Sequence, residues 1–424
     1  MNDNNGFKNI LMISNYSMFE HSPLGITLRS IFKEWPDSQL FELYRYQTEK
    51  LNHKDIKIKS YKLPAKFLPL DNLIRKVSKK NIKYTNSETT FQVSEYDSVS
   101  IKQKIKSTIK YLSESMFVPN KGSEINRSLN QFKPQVIYTI GESLFALKAS
   151  LYFSKKYNIP IVVHYMDNWR ETLYPSKGNY KILSLLFLRN LKRVESRMKN
   201  GLVISPKMKE HYALINQNVK YNVLLNSVSG VESISQNNHN GNEIIFTYVG
   251  GLHLNRWKSM LNVENCIYEL NRKGIPSKLY IYTPEADKAQ FSNKFNKNLT
   301  LFKGHLPHDK IHLAYNTASI LLHVESFDKK VIQYTKYSLS TKIPECMSVG
   351  KPILCYAPTD IAVSEYINKT NSGIAVGNYN DLLEASKELA CNKKLRAELG
   401  ENGILTVKRE HTYEKAHEIL LNTL

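Results

Sequence analysis

Short apolar runs recur along the first half of the chain, set apart by stretches with helical spacing. Asn9–Ser14 is a run of strand type; a loop through Pro23, Leu24 and Gly25 follows, then a helix over Ile26–Trp35 that Pro36 stops. Leu40–Tyr44, Val136–Thr139 and Ile159–His164 repeat the strand pattern, with Leu144–Tyr157 as an intervening helix, and Gly201–Ile204 and Asn222–Leu225 read as the last strands of this half. The polar stretch Ser227–Asn242, rich in Ser, Asn and Gly, breaks the pattern and reads as a linker.

The second half restarts with Ile244–Val249, the pair Gly250-Gly251 and a helix running through Leu270. Strands at Leu279–Tyr282, Leu299–Phe302, Ile320–His323 and Ile353–Cys355 then alternate with helices, and Lys394–Leu399 and His411–Leu424 are amphipathic. Parallel neighbours need long crossovers, so strands separated by helices imply an α/β fold of two doubly wound, Rossmann-like domains. In such sheets ligands bind beyond the carboxyl ends of strands, where most of the chemistry-bearing segments fall.

The segment Tyr337–Leu354 carries the densest chemistry. Pro344 is tolerated only in the first turn of a helix, so a helix is expected to begin near Thr341, with Thr341 as its cap and Gly350 just past its end. The backbone N–H groups at that start, over Ser340, Thr341 and Ile343, favour a diphosphate, and Lys342 adds a point charge. Glu345, three residues on and on the same face, is able to accept hydrogen bonds from two ribose hydroxyls. The plain alternative is a surface Lys/Glu pair.

With this context the chain resembles the GT-B glycosyltransferases, specifically the retaining family-4 type of bacterial surface-polysaccharide assembly. The likeness rests on the opening strand and Gly loop, HYMDNWRE, YVGGLHLNRWKS and the segment above. It implies two domains facing across a cleft: 1–228 for the acceptor, a linker at 229–242, 243–408 for the nucleotide sugar, and 409–424 as a helix crossing back. Two departures stand out. The family's paired glutamates have seven residues between them, yet Tyr337 holds the position eight before Glu345, so Glu325 is taken as the displaced first glutamate. Gly250-Gly251 replaces the family's Gly-Arg, and Arg256 falls where the family has a phosphate-binding Lys.

The resemblance implies that Arg256 and Lys342 stabilise the departing diphosphate without metal or other cofactor, as growing negative charge requires. It places Gly25 near the same phosphates, although a plain turn glycine reads equally, and gives Gly304 and His305 to the base. His164 and Asp167 are assigned to the transferred sugar and acceptor, with a satisfied structural role as the alternative for His164; Gly141 and Glu142 are assigned to the acceptor pocket. The donor is expected to be a UDP-sugar and the acceptor a lipid-linked saccharide.

Charge extends this picture. A formal net charge of +21 over 424 residues calls for an anionic partner. Lys54–Lys83 and Ile101–Met116 interleave lysines with apolar residues, as a peripheral anionic-membrane surface would, or as a plain solvated face. A nucleic-acid-binding protein is the rival from another class, and a GT-B epimerase the rival within the fold. No nucleic-acid motif supports the former. Four scattered cysteines are too few for a disulfide framework, and His305, His308 and His312 have Asp309 as their only close acidic neighbour and no Glu-containing zinc motif. No signal peptide or apolar run of membrane-spanning length appears, so a cytosolic location is expected.

Overall fold

A computed structural model describes residues 6–20, 22–47, 58–63, 124–174, 181–228, 243–307 and 310–424. They fall into two units.

The first unit holds the described residues up to Asn226 together with Tyr413–Leu424. Its strands are β1 (Ile10–Tyr16), β2 (Leu40–Tyr46), β3 (Lys59–Lys62), β4 (Val136–Thr139), β5 (Ile161–Tyr165), β6 (Asn200–Val203) and β7 (Lys220–Val223). They lie in the order β3-β2-β1-β4-β5-β6-β7, every pairing parallel. Helices on both faces remove the need for polar alternation, and six of the seven residues of β1 are buried. Ile10, Met12 and Val136 pack with Leu28 and Phe32 on one face, and Ala416 and Leu420 of helix Tyr413–Thr423 join the same core.

The second unit holds the described residues from Ser227 to Thr412. Its strands β8 (Ile244–Val249), β9 (Ser277–Tyr282), β10 (Thr300–Phe302), β11 (Ile320–Val324), β12 (Ile353–Tyr356) and β13 (Gly373–Val376) form a second parallel sheet, ordered β10-β9-β8-β11-β12-β13. In each sheet the strand order reverses once, between β1 and β4 and between β8 and β11. Connections leave opposite faces there, which opens a crevice at the carboxyl ends.

The expected strands all appear, with ends shifted by a residue or two. The edge strands β3 and β13, of only four residues each, carry too little apolar pattern to stand out. The first helix starts at Pro23 rather than Ile26, because Ser22 Oγ accepts from the Gly25 amide at 3.1 Å and so caps it earlier. The short helix expected at Lys394–Leu399 runs 18 residues, Lys393–Glu410. The linker 229–242, the stretch Ile101–Met116, all but 58–63 of Lys54–Lys83, and His308 lie outside the described residues.

One packing detail positions the site. A Cβ on Gly400 would lie 2.1 Å from the Gly350 carbonyl oxygen, so helix Lys393–Glu410 meets the end of helix Lys342–Ser348 backbone against backbone. Gly350 itself, at φ +64, is the left-handed residue that ends the shorter helix.

Candidate functional site

β8 ends at Val249, and the chain reaches helix Arg256–Arg272 through Leu254 and Asn255, both left-handed at φ +57 and +61. Such a conformation costs a non-glycine residue on the order of 1 kcal/mol or more, so the surroundings must impose it. The Leu252 amide donates to Asp287 Oδ2 at 2.6 Å, pinning the turn. Arg256 is thereby turned toward the end of β11 across the strand-order reversal. Its Nε donates to Glu325 Oε2 at 3.0 Å and its Nη2 to Oε1 at 2.8 Å, while Ser259 Oγ donates to the Glu325 carbonyl at 2.7 Å. Burial alone would raise the Glu325 pKa. The Arg256 charge and its hydrogen bonds, aided by His323, outweigh burial and hold the carboxyl at about 2.

Next to this pair a crevice opens, lined by Tyr248, Val249, Arg256, Leu322, His323, Ser340, Lys342, Ile343 and Cys346. It occupies the reversal point of the second sheet, where β8 and β11 diverge. Four residues singled out from the sequence, Arg256, Ser340, Lys342 and Ile343, meet here. A Cβ on Gly250 would lie 2.9 Å from Lys342 Nζ and 3.0 Å from Tyr248 Oη. The lysine ammonium thus rests on bare backbone, and Gly250 has φ +155. Arg256 keeps Nη1 outside the fork to Glu325, leaving a donor group for a further acceptor.

Several expectations need correction. Glu325 is no open sugar-reading carboxylate: both oxygens are engaged by Arg256 and its side chain is 5% exposed. It anchors the arginine. Thr341 is exposed, already helical in its dihedrals, and makes no side-chain cap; the Lys342 amide instead points to Ser340 Oγ, 3.4 Å away, because the chain enters the helix through a tight Ser340–Ile343 turn. Gly304 and His305, assigned to the base and not to the diphosphate, stand apart from these corrections: they follow β10, two strands from the reversal point and outside the lining of the crevice. There the Gly304 carbonyl accepts from the Thr283 amide at 3.1 Å, and the His305 amide donates to Glu285 Oε1 at 3.4 Å. Glu345 is half-buried and accepts from Tyr315 Oη at 3.4 Å. The Gly251 carbonyl accepts from Tyr248 Oη at 2.8 Å.

In the first unit, the reversal point joins β1 to β4 through neutral groups and one carboxylate. The Asn15 amide donates to Glu142 Oε1 at 2.5 Å, Ser143 Oγ donates to Asn15 Oδ1 at 2.8 Å, and Gly141 sits left-handed at φ +72 between them. Asp167 is half-buried beyond the end of β5. His164 is corrected to a core residue: it is 1% exposed with Nδ1 2.7 Å from Tyr138 Oη, and burial, only partly offset by the Leu224 carbonyl, lowers its pKa to about 3. A neutral imidazole sealed in the sheet has no path to a substrate proton. Gly25 also has a local reason: a Cβ there would lie 2.2 Å from the Glu20 carbonyl oxygen. Arg29 donates to that same carbonyl at 3.0 Å.

Sequence reasoning passed over His323, which reads as the last residue of a strand, and Tyr248, Leu322 and Cys346, whose apolar spacing marks them only as core. Among the described residues no three His, Cys, Asp or Glu side chains gather as a metal site, and no helix is long and apolar enough to cross a membrane.

Residues 264–422 match the family described as Glycosyl transferase-like. No curated protein matches the chain by sequence. Solved structures with a similar fold include HepE of Anabaena in complex with UDP, at 13% identity and TM-score 0.62, covering 98% of this chain and 99% of that one. The lipopolysaccharide outer core galactosyltransferase WaaB, also 13% identical, aligns at TM-score 0.58 with the same coverage. TarM of S. aureus, determined with fondaparinux, alpha-GlcNAc-glycerol and UDP, is 12% identical and aligns at TM-score 0.56 over 98% of this chain and 99% of its own. With two Rossmann-like parallel sheets and these likenesses across the chain, the protein has the GT-B fold, and its residues 264–422 are similar to the glycosyl transferase-like family.

Proposed function

We propose that the protein is a retaining, metal-independent glycosyltransferase that moves a hexosyl or N-acetylhexosaminyl group from a UDP-sugar to a lipid-linked saccharide. The setting of the proposal is O-antigen, capsule or exopolysaccharide assembly at the cytosolic membrane face. The observation that carries the donor half is the crevice at the β8/β11 reversal point, where Lys342 lies on Gly250 and Arg256 keeps Nη1 beyond its Glu325 anchor. Two fixed cations beside a polar crevice suit a pyrophosphate. As the glycosidic bond breaks, negative charge grows on the leaving diphosphate, and groups held in place beforehand stabilise it without reorganising. Glu345 supplies a carboxylate for the ribose hydroxyls on the same helix. The family description supports the transferase reading, and HepE and TarM, both determined with UDP, support the choice of nucleotide.

The test is incubation with a panel of UDP-sugars, with and without lipid-linked saccharide acceptors, in the presence of EDTA. Free UDP that appears only with acceptor, and a product that keeps the donor's anomeric configuration, is the expected result. Isomerised sugar nucleotide without acceptor would make the protein an epimerase, and a requirement for divalent metal would overturn the metal-free mechanism.

A further inference from the structure

The turn on which the Lys342 ammonium rests is held by two side chains that neither the sequence reading nor the proposed mechanism uses. Between β8 and helix Arg256–Arg272 the chain passes Gly250 and Gly251, then the left-handed pair Leu254 and Asn255. Neither glycine has room for a side chain. A Cβ on Gly251 would lie 2.4 Å from His253 Nδ1, as one on Gly250 would meet Lys342 Nζ and Tyr248 Oη. A turn with two non-glycine residues in a costly conformation keeps one shape only if its surroundings impose it.

The restraint falls on a single peptide unit, the one that joins Gly251 to Leu252. Its carbonyl oxygen accepts from Tyr248 Oη at 2.8 Å, and its N–H donates to Asp287 Oδ2 at 2.6 Å. In a trans peptide these two groups point in opposite directions, so tying both fixes the rotation of the plane as well as its place. The two side chains are themselves anchored. Tyr248, the fifth residue of β8, is 4% exposed and packs in the same core as Leu252 and Met260. Asp287 stands in the first turn of helix Glu285–Phe291, just past β9, and accepts also from Thr283 Oγ1 at 3.4 Å. Burial pushes the Tyr248 phenol above its ordinary range against the pull of the Arg256 charge, so its O–H remains a donor near neutral pH.

Binding costs least when the groups that meet a ligand are already in place, because ordering a loose turn subtracts from affinity. We infer that Tyr248 and Asp287 are positioning residues of the donor site, clamping the Gly251–Leu252 peptide so that the turn beneath Lys342 and ahead of Arg256 keeps the shape a nucleoside diphosphate requires. This rests on the donor-site reading proposed above. The experiment is calorimetric titration of the full chain with UDP, with thermal melts, for the wild type, Tyr248→Phe, Asp287→Ala, Asp287→Asn and the double variant Tyr248→Phe/Asp287→Ala. Tyr248→Phe keeps the ring in the core and removes only the hydroxyl.

UDP affinity is expected to fall about tenfold in Tyr248→Phe and in Asp287→Ala, and little further in the double variant, because either release frees the same peptide. Independent contacts would instead multiply to about a hundredfold. Asp287→Asn, which still offers an oxygen to the Leu252 amide, is expected to recover most of what Asp287→Ala loses. Wild-type affinity in folded Tyr248→Phe, a multiplied loss in the double variant, or an Asp287→Asn as weak as Asp287→Ala each overturns the clamp and leaves the donor site standing. If one single variant does not fold, the other decides; unfolding of both makes the pair structural and overturns the assignment. Failure of UDP to bind the wild type overturns the donor-site reading, and this inference with it.

Discussion

The two sheets share a topology and differ in what they place at the point where strand order reverses. In the second unit that point is built from ions: Arg256 forked onto Glu325, with Lys342 beside Gly250. In the first it is built from a hydrogen-bonded weave, Asn15 to Glu142 and Ser143 to Asn15, while the one histidine near it is sealed neutral against Tyr138. An ionic site is fit to hold a highly charged ligand part and is costly to disturb. A hydrogen-bonded one shapes a surface for neutral hydroxyls, and its members are individually worth about 1 kcal/mol.

The largest expected effect breaks the ionic side. Arg256→Met leaves Glu325 as a buried charge without its partner, and a loss of about 3–5 kcal/mol in stability is expected from chemical denaturation. Arg256→Met combined with Glu325→Leu should recover much of it. Recovery of nothing would mean that the arginine acts through packing and not through its charge.

Next in size is the response to acid. His164 has its pKa lowered to about 3 in the folded protein, from an ordinary value near 6.5. As pH falls below about 6.5 the unfolded chain gains a proton there that the folded chain refuses, so stability is lost, by about 2 kcal/mol at pH 5. Glu325, lowered to about 2 from 4.5, contributes stability that is intact above pH 4.5 and lost only as pH falls further toward 2. Between pH 6.5 and 5 the first unit should therefore weaken through His164 while the Glu325 pair holds. Buried Glu42 and Glu195 in the first unit have raised pKa values, chiefly through burial, and act in the opposite sense, so the comparison to make is wild type against His164→Asn by hydrogen exchange. A pH slope shared by both proteins would refute the assignment.

Smaller changes sharpen the contrast at the ligand. Lys342→Ala is expected to weaken UDP binding about tenfold or more with an unchanged melting temperature, as removal of a charged hydrogen-bond donor does. Wild-type affinity in this variant would exclude the crevice as the pyrophosphate site. Smallest is Gly250→Ala, whose new methyl would meet the Lys342 ammonium. The lysine is able to swing aside, so stability should fall by only about 1 kcal/mol from the backbone, and UDP binding should weaken less than in Lys342→Ala. Titration calorimetry resolves that order.

The same contrast explains what was legible in the sequence. Buried parallel strands such as Ile10–Tyr16 and Ile320–Val324 advertise themselves as apolar runs, so the alternation of elements, and with it the fold, could be read directly. Lys342, Arg256 and Ser340 were legible because charged and small residues beside Gly and Pro punctuate the chain. Glu325 was misassigned because its partner lies 69 residues away, across the reversal of strand order, and local spacing says nothing about such a pair. His164 failed for a related reason: a histidine closing an apolar run looks the same whether its ring meets solvent or the Tyr138 hydroxyl on the neighbouring strand. His323 gave no signal beyond its place at a strand end, since its meaning comes from Glu325.

The first unit is assembled from two separated stretches of chain, because Tyr413–Leu424 returns to it after the whole second unit has intervened. Ala416, Leu420 and Leu424 are buried against a layer begun some four hundred positions earlier by Ile10 and Met12. Closing that layer is a contact of very long sequence separation, so the loop-closure entropy of the intervening chain stands against it until the second unit folds and shortens the path.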